Sequence, residues 1–332
     1  MEQGLKAMVL AASVLSSARG QATERPFDLQ GHRGARGLAP ENTLVAFARA
    51  LSLGVTTLEL DLAVTRDGVV VVSHDPVLNS DLTRGPSGKW LEKPGPPIFA
   101  LGRAELLTYD VGRLRPGSAY GTQFPDQLPA DGVRIPTLRD VYALARKAGN
   151  DTVRFNIETK IDPGKPEQTL PPEPFADAVL KVVHEAGMAA RTTIQSFDWR
   201  TLRHVQKVST DIETVCLTAQ DSPEQLGVGR PGTSPWLAGL DLDDFGGSLP
   251  RLVKAAGGRV WSPRALDLTP ELLGTAHDLG LRVIPWTVNR PEDMRLLIDL
   301  GVDGLITDRP DLLRRVMEEK GLPVPKPTPV EP

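Results

Sequence analysis

Short strand-like runs alternate with helix-like runs along most of the chain, and no other feature constrains the fold as much. Alternation of this kind calls for a parallel sheet covered by helices. Strand-like runs occupy residues 27–30, 57–64, 69–73, 153–158, 192–196, 213–217, 237–242, 259–261, 282–287 and 304–307. Helical spacing of apolar residues predicts helices over 43–53 (with Asn42 as N-cap), 135–147, 174–186, 199–207, 249–256, 270–279, 292–300 and 310–320. Arg66-Asp67-Gly68 is a tight-turn signal that joins 57–64 to 69–73 as a hairpin. Without the second hairpin arm and the weak run 237–242, about eight strands remain. A doubly wound open sheet would usually carry fewer parallel strands and open on a glycine fingerprint that Gly31-His32-Arg33-Gly34 does not match. The predicted fold is therefore α/β, a TIM-type (β/α)8 barrel.

Residues 75–134 stand apart, with many Gly and Pro residues and a single weak helix near 103–107. A loop this long usually has a function. It is read as an insertion, about 76–134, projecting from the top of a barrel domain that spans 27–320. The proline-rich tail 321–332 is expected to be disordered. A chain of 332 residues that is 40% hydrophobic can bury one large core, and barrels reach this size as single domains. The net charge of −4 supplies neither the basic field that nucleic acid needs nor a polybasic lipid-binding run. Cys216 is the single cysteine, so an internal disulfide is excluded. At the N-terminus, Lys6 precedes the apolar stretch 7–15 and small residues at 16–20, the order of a signal peptide over 1–22 and of an exported protein. Glu2 and the shortness of the apolar run favour the competing reading, a frayed helix. The stretch is too short to span a bilayer, and no other segment is apolar enough to be transmembrane.

In a barrel of this type the site is built where strands end. His32 and Arg33 follow the first strand. Glu59 and Asp61 are two apart, so on a strand they share a face, and Glu158 and Lys160 repeat that spacing. Gln195 with Ser196, Trp286 with Asn289, and Thr307 with Asp308 stand at later strand ends. Three carboxylates aimed into one mouth repel unless a cation sits among them, and oxygen-only ligands suit Mg²⁺ or Ca²⁺ better than zinc. The competing reading of Glu59 and Asp61 is a solvated strand face. His32 and His74 have the chemistry of an acid/base pair for a phosphodiester, although a lone histidine is more often structural. Arg33 can grip two phosphate oxygens and Lys160 can add a point charge, with ion pairing to a neighbouring carboxylate as the alternative for each. Trp286 can wall a small polyol, or serve core packing.

These residues bring a known family into view. The chain resembles the glycerophosphodiester phosphodiesterase family through His32-Arg33-Gly34, Pro40-Glu41-Asn42-Thr43, Glu59-Leu60-Asp61, Thr65-Arg66-Asp67-Gly68 and His74-Asp75. The resemblance continues through Ile135-Pro136-Thr137-Leu138, Ile157-Glu158-Thr159-Lys160, Gln195-Ser196-Phe197, Trp286-Thr287-Val288-Asn289 and residues 303–308. The motifs run in the family's order from about Leu29 to Leu313. The resemblance implies a TIM-type barrel with a small insertion after the second histidine's loop. It implies metal-dependent hydrolysis of glycerophosphodiesters to glycerol 3-phosphate and an alcohol. It carries the acid/base pair onto His32 and His74, the ligands of a Ca²⁺ or Mg²⁺ ion onto Glu59, Asp61 and Glu158, and phosphate contacts onto Arg33 and Lys160. An exported member looks like the periplasmic branch. Two rivals stand beside this reading: a lysophospholipase D, which an apolar rim on the insertion would favour, and a barrel that binds without turnover.

Overall fold

A computed structural model describes residues 26–227 and 232–332. The N-terminal stretch expected to act as a signal peptide lies outside the described residues. Nine strands are formed among the described residues: β1 (Asp28–Gly31), β2 (Thr57–Val64), β3 (Val70–Val72), β4 (Arg154–Thr159), β5 (Thr192–Ser196), β6 (Glu213–Thr218), β7 (Val260–Pro263), β8 (Arg282–Val283) and β9 (Gly304–Thr307). Eight of them pair in parallel in the order β8-β7-β6-β5-β4-β2-β1-β9. The segment from β8 onward returns to β9 through Asp303 N to Val283 O at 2.9 Å, Ile306 N to Pro285 O at 3.1 Å and Val288 N to Ile306 O at 3.0 Å. These bonds bring the two ends of the parallel path together, which is the barrel the sequence predicts.

Side-chain alternation along β2 shows how the sequence divides inside from outside. Leu58, Leu60 and Leu62 are fully buried in the layer between strands and helices. The alternate residues, Thr57, Glu59 and Asp61, are also buried but point to the barrel axis, where only polar partners receive them. The interior is thus polar beneath β1, β2, β4 and β5. It is apolar beneath β6 to β9, where Val215, Val260, Ile284 and Ile306 cluster with Trp286 against them.

The outer layer is formed by α1 (Leu44–Leu53), α3 (Leu138–Lys147), α4 (Pro172–Glu185), α5 (Trp199–Val208), α7 (Leu249–Ala255), α8 (Pro270–Asp278), α9 (Pro291–Leu300) and α10 (Pro310–Glu319). Two short helices, α2 (Arg103–Leu106) and α6 (Pro223–Leu226), lie in the connections. The N-cap of α1 is Thr43, not Asn42: its hydroxyl accepts from Ala46 N. Asn42 sits one residue earlier in a left-handed turn, which aims its amide elsewhere. Residues 237–242 form no strand and lie between two single-turn 3-10 helices, Pro235–Leu237 and Asp243–Phe245. The left-handed Ala238 and Gly239 that follow the first cannot belong to an extended run.

β3 pairs antiparallel with β2 and stands outside the barrel. With Ala63, Leu78, Ile98, Leu106 and Ile135, its Val71 builds a small separate core that holds the insertion to the barrel mouth. The tail expected to be disordered carries no helix or strand, yet it is fastened. Thr328 N donates to Leu51 O at 2.9 Å, Asn150 Nδ2 to Thr328 Oγ1 at 3.0 Å, and Arg314 donates to Pro325 O at 2.6 Å. Leu322, Val324 and Val330 pack on the core, which a compositional reading of proline-rich sequence overlooks. Deleting residues 322–332 is expected to lower the Tm by roughly 5 °C, as loss of a few partly buried aliphatic side chains costs about 2 kcal/mol. Thermal unfolding followed by circular dichroism measures this.

Candidate active site at the barrel mouth

The turn after β1 is shaped by two glycines. A Cβ on Gly31 would fall 2.1 Å from Gly34 O, and one on Gly34 would fall 2.7 Å from the backbone of Ala46. Between them Arg33 takes a left-handed conformation, φ 50°, that points its N–H at Glu59 Oε2, 2.8 Å away. The other Glu59 oxygen accepts from Gln195 Nε2 at 2.7 Å. Asp61 is held from the loop before α1, where Asn42 Nδ2 donates to its Oδ2 at 2.8 Å. Glu158 reaches the same place from β4, in register with Asp61. Oxygens of Glu59, Asp61 and Glu158 lie within 4.8 Å of one another, all buried.

Such a cluster is costly as it stands. Burial and the charge of Asp61 push the Glu59 carboxyl well above its ordinary range. Burial pushes Glu158 up to about 7, against the pull of Lys160. Burial would raise Asp61 too, but His74, Arg33 and Lys160 hold it low. One proton-hungry site of three oxygen donors, with too few positive partners, fits a hard divalent cation.

The two histidines are delivered by different means. His32 follows β1 directly. Its Nδ1 lies 2.7 Å from Asp308 Oδ1 at the end of β9, and its Nε2 lies 3.9 Å from Glu59 Oε2. His74 depends on the hairpin: β2 overshoots the mouth, turns at Gly68 and returns as β3, where Ser73 N bonds Asp61 O at 2.9 Å. His74 Nδ1 then meets Asp75 Oδ1 at 2.7 Å, and Asp75 is held in turn by Asn79 at 2.6 Å. A carboxylate on Nδ1 assigns the proton there and leaves Nε2 as the working nitrogen in both rings. Burial and the neighbouring Arg36 push His32 down to about 4 despite Asp308. Burial, Arg33 and Lys160 also lower His74.

Arg33 and Lys160, expected to contact phosphate, are held by carboxylates here. Arg33 donates to Glu41 Oε1 at 2.6 Å and lies 3.3 Å from Asp61. The atom nearest Asp61 is its buried Nε, which is in ion-pair contact there without making a hydrogen bond. Lys160 Nζ lies 2.8 Å from Glu158 and 3.9 Å from Asp61, and over the ring of Phe197 at 5.9 Å. Trp286 is half-buried. It donates to Ser262 O at 3.0 Å and meets Phe197 edge to face at 5.5 Å, so that Phe197 and Lys160 stand between it and the carboxylates.

Several participants had no assigned part in the sequence reading. Asp308 and Gln195 were visible as polar strand ends, and Glu41 and Asn42 as a motif, but not as partners of His32, Glu59, Arg33 and Asp61. Tyr120 and Arg36 carried no signal. Tyr120 comes from the insertion: its hydroxyl donates to Glu41 and accepts from Arg36 at 3.2 Å and Arg33 at 3.4 Å. Arg36 grips Asp308 through Nε at 2.7 Å and Nη2 at 3.0 Å.

The model of the Glycerophosphoryl diester phosphodiesterase family matches residues 32–312. A glycerophosphodiester phosphodiesterase of Caldanaerobacter subterraneus is 30% identical over 294 residues, which cover 87% of this chain and 97% of the relative. A solved structure from Silicibacter pomeroyi, assigned by name to the glycerophosphoryl diester phosphodiesterases, is 38% identical with a TM-score of 0.78, covering 90% of this chain and 96% of that one. An Oleispira antarctica phosphodiesterase solved with the product sn-glycerol-3-phosphate is 19% identical and shares the fold, with a TM-score of 0.63 over 88% of this chain and 97% of that one. A barrel whose mouth joins two carboxylate-held histidines to three clustered carboxylates, matched by that family along nearly its whole length, belongs to the glycerophosphodiester phosphodiesterase family.

Proposed function

We propose that the chain hydrolyses glycerophosphodiesters to glycerol 3-phosphate and an alcohol, with His32 and His74 as base and acid and one Ca²⁺ or Mg²⁺ ion at Glu59, Asp61 and Glu158. The observation that carries this reading is the placing of two carboxylate-partnered imidazoles beside one buried triad of carboxylates. When bound there, the ion would polarise a phosphate oxygen. His32, kept neutral at pH 7, offers Nε2 as the base for the incoming oxygen, whether from water or from the substrate's own neighbouring hydroxyl. His74 is the acid for the departing alkoxide. Burial lowers its pKa most, although the ring is 31% exposed at the mouth, and a phosphodiester between Arg33 and Lys160 offsets the two cations that also depress it. Arg33 Nε, which lies 3.3 Å from Asp61 Oδ2 but makes no hydrogen bond to it, is a donor for a phosphate oxygen. Trp286 presents its ring to the carbon face of the glycerol.

Among the described residues of the insertion the strongly exposed large apolar side chains are Leu107 and Leu128, two residues where a lysophospholipid would need a broad apolar rim. Ile98 is fully buried, Phe124 nearly so, and Leu91 packs into the insertion's own core. Glycerophosphocholine is therefore the expected substrate over lysophosphatidylcholine. The test supplies each with Ca²⁺ or Mg²⁺, with and without chelator, and assays glycerol 3-phosphate. No release from glycerophosphocholine with either ion overturns the reading.

Tyr120→Phe is expected to lower kcat/KM about 10-fold at an unchanged Tm, because Glu41 and two guanidiniums lose a shared hydroxyl partner. Steady-state kinetics with glycerophosphocholine checks this. Export is also proposed, on Lys6 and the apolar stretch that follows it. Mass spectrometry of the protein from its cells is expected to find an N-terminus near residue 20, and an intact Met1 would refute export. No helix among the described residues is long and apolar enough to cross a membrane.

A further inference from the structure

We propose that a buried chain of side-chain amides through the barrel interior sets the orientation of Glu59 as a cation ligand, with Asn156 as its pivot. Gln195 Nε2 donates to Glu59 Oε1 at 2.7 Å. Asn156 Nδ2 donates to Gln195 Oε1 at 2.8 Å and to Gln30 Oε1 at 2.9 Å. Gln30 Nε2 donates to Asp28 Oδ2 at 2.9 Å, and Thr57 supplies the other Asp28 oxygen at 2.7 Å. Thr193 Oγ1 donates to Asn156 Oδ1 at 2.9 Å. All seven of these residues are buried.

The direction of every bond in this chain follows from its lower end. A side-chain amide can turn either its oxygen or its NH₂ toward a neighbour. Asp28, an acceptor, takes the NH₂ of Gln30, so Gln30 turns its oxygen to Asn156. Asn156 must then give N–H, and the Thr193 hydroxyl covers its oxygen. Gln195 receives the second Asn156 N–H on its own oxygen and has its NH₂ left for Glu59. A reversed Gln195 would set lone pairs against a carboxylate. Glu59 thus has one donor on each oxygen, Gln195 on one and Arg33 N on the other, and keeps a lone pair on each for a cation. The side chains of Gln30 and Asn156 hydrogen-bond to none of the three carboxylates, so their polar influence on the mouth runs through Gln195. They are positioning residues.

The test measures Ca²⁺ and Mn²⁺ affinity by calorimetry on the full chain. Asn156→Leu, similar in volume and unable to hydrogen-bond, is expected to weaken both ions about 10-fold, the usual range for partners that orient a metal ligand. In a Gln195→Leu background the same change is expected to add less than about twofold, since the chain no longer reaches Glu59. Equal weakening in both backgrounds, or no weakening in the first, overturns the proposal. Thr193→Val removes a single donor from Asn156 and is expected to weaken both ions about threefold. It keeps the test decisive if Asn156→Leu does not fold: unchanged affinity there counts against the chain.

The proposal rests on reading the carboxylate triad as a cation site, so one arm avoids cations altogether. In cation-free protein the Gln195 side-chain amide protons, followed by NMR, are expected to exchange at least about 10-fold faster in Asn156→Leu or Thr193→Val than in the wild type. Unchanged exchange overturns the chain. A wild type that binds neither ion ends the cation reading and leaves the exchange result to judge the chain by itself.

Discussion

His74→Ala is expected to lower kcat for glycerophosphocholine about 10³-fold and to leave the Tm within about 2 °C of the wild type. The expected kinetic loss rests on the proposal that His74 is the acid for the departing alkoxide. The structural loss is small because the ring is half-exposed and Asp75 keeps Asn79 as a partner. His32→Ala is expected to cost a similar factor. It too should fold, since Asp308 retains the Arg36 fork and Asn289 Nδ2 at 2.7 Å. Steady-state kinetics beside thermal unfolding separates the two effects, and wild-type rates in either variant would remove that histidine from the mechanism.

Asp61→Asn is expected to weaken Ca²⁺ or Mg²⁺ binding about 100-fold and to reduce activity with it, because the amide removes the charge that Glu59 and Glu158 flank. Calorimetry measures the affinity directly. The same titration carries a pH signature. Glu158 sits near 7 and Glu59 well above its ordinary value, so both hold protons that a cation must displace. A group with a raised pKa binds its proton more tightly in the folded chain, so affinity should rise with pH through about 7 and flatten above the last of these pKa values. Proton release, read from the dependence of the heat on the buffer, checks the sign.

The barrel was legible in the sequence because its signals are local. The strand-like run 57–64 and the helix expected over 135–147 have clear periodicity and punctuation; the structure forms the strand over 57–64 and starts the helix three residues later, at Leu138, behind its Thr137 cap. The three carboxylates and two histidines were legible because strand ends supply a site in this architecture. The pairing of those residues was not. Nothing near His32 in the chain points to Asp308, 276 residues away. Asn42 looked like a cap because a cap and a turn that holds a carboxylate use the same residue type. Tyr120 sits in an insertion with little regular structure, where no period marks a position as inward. The tail misled for the opposite reason: composition argued disorder, and only the groove beside Leu51 and Asn150 shows what holds it.

The bond between His32 and Asp308 joins the loop after the first strand to the end of the last one. During synthesis both histidines and all three carboxylates leave the ribosome long before residue 308 does. A nascent or truncated chain ending short of β9 therefore holds the reactive groups without the carboxylate that orients the first imidazole. His32 thus gains its carboxylate partner only when the closing strand is in place.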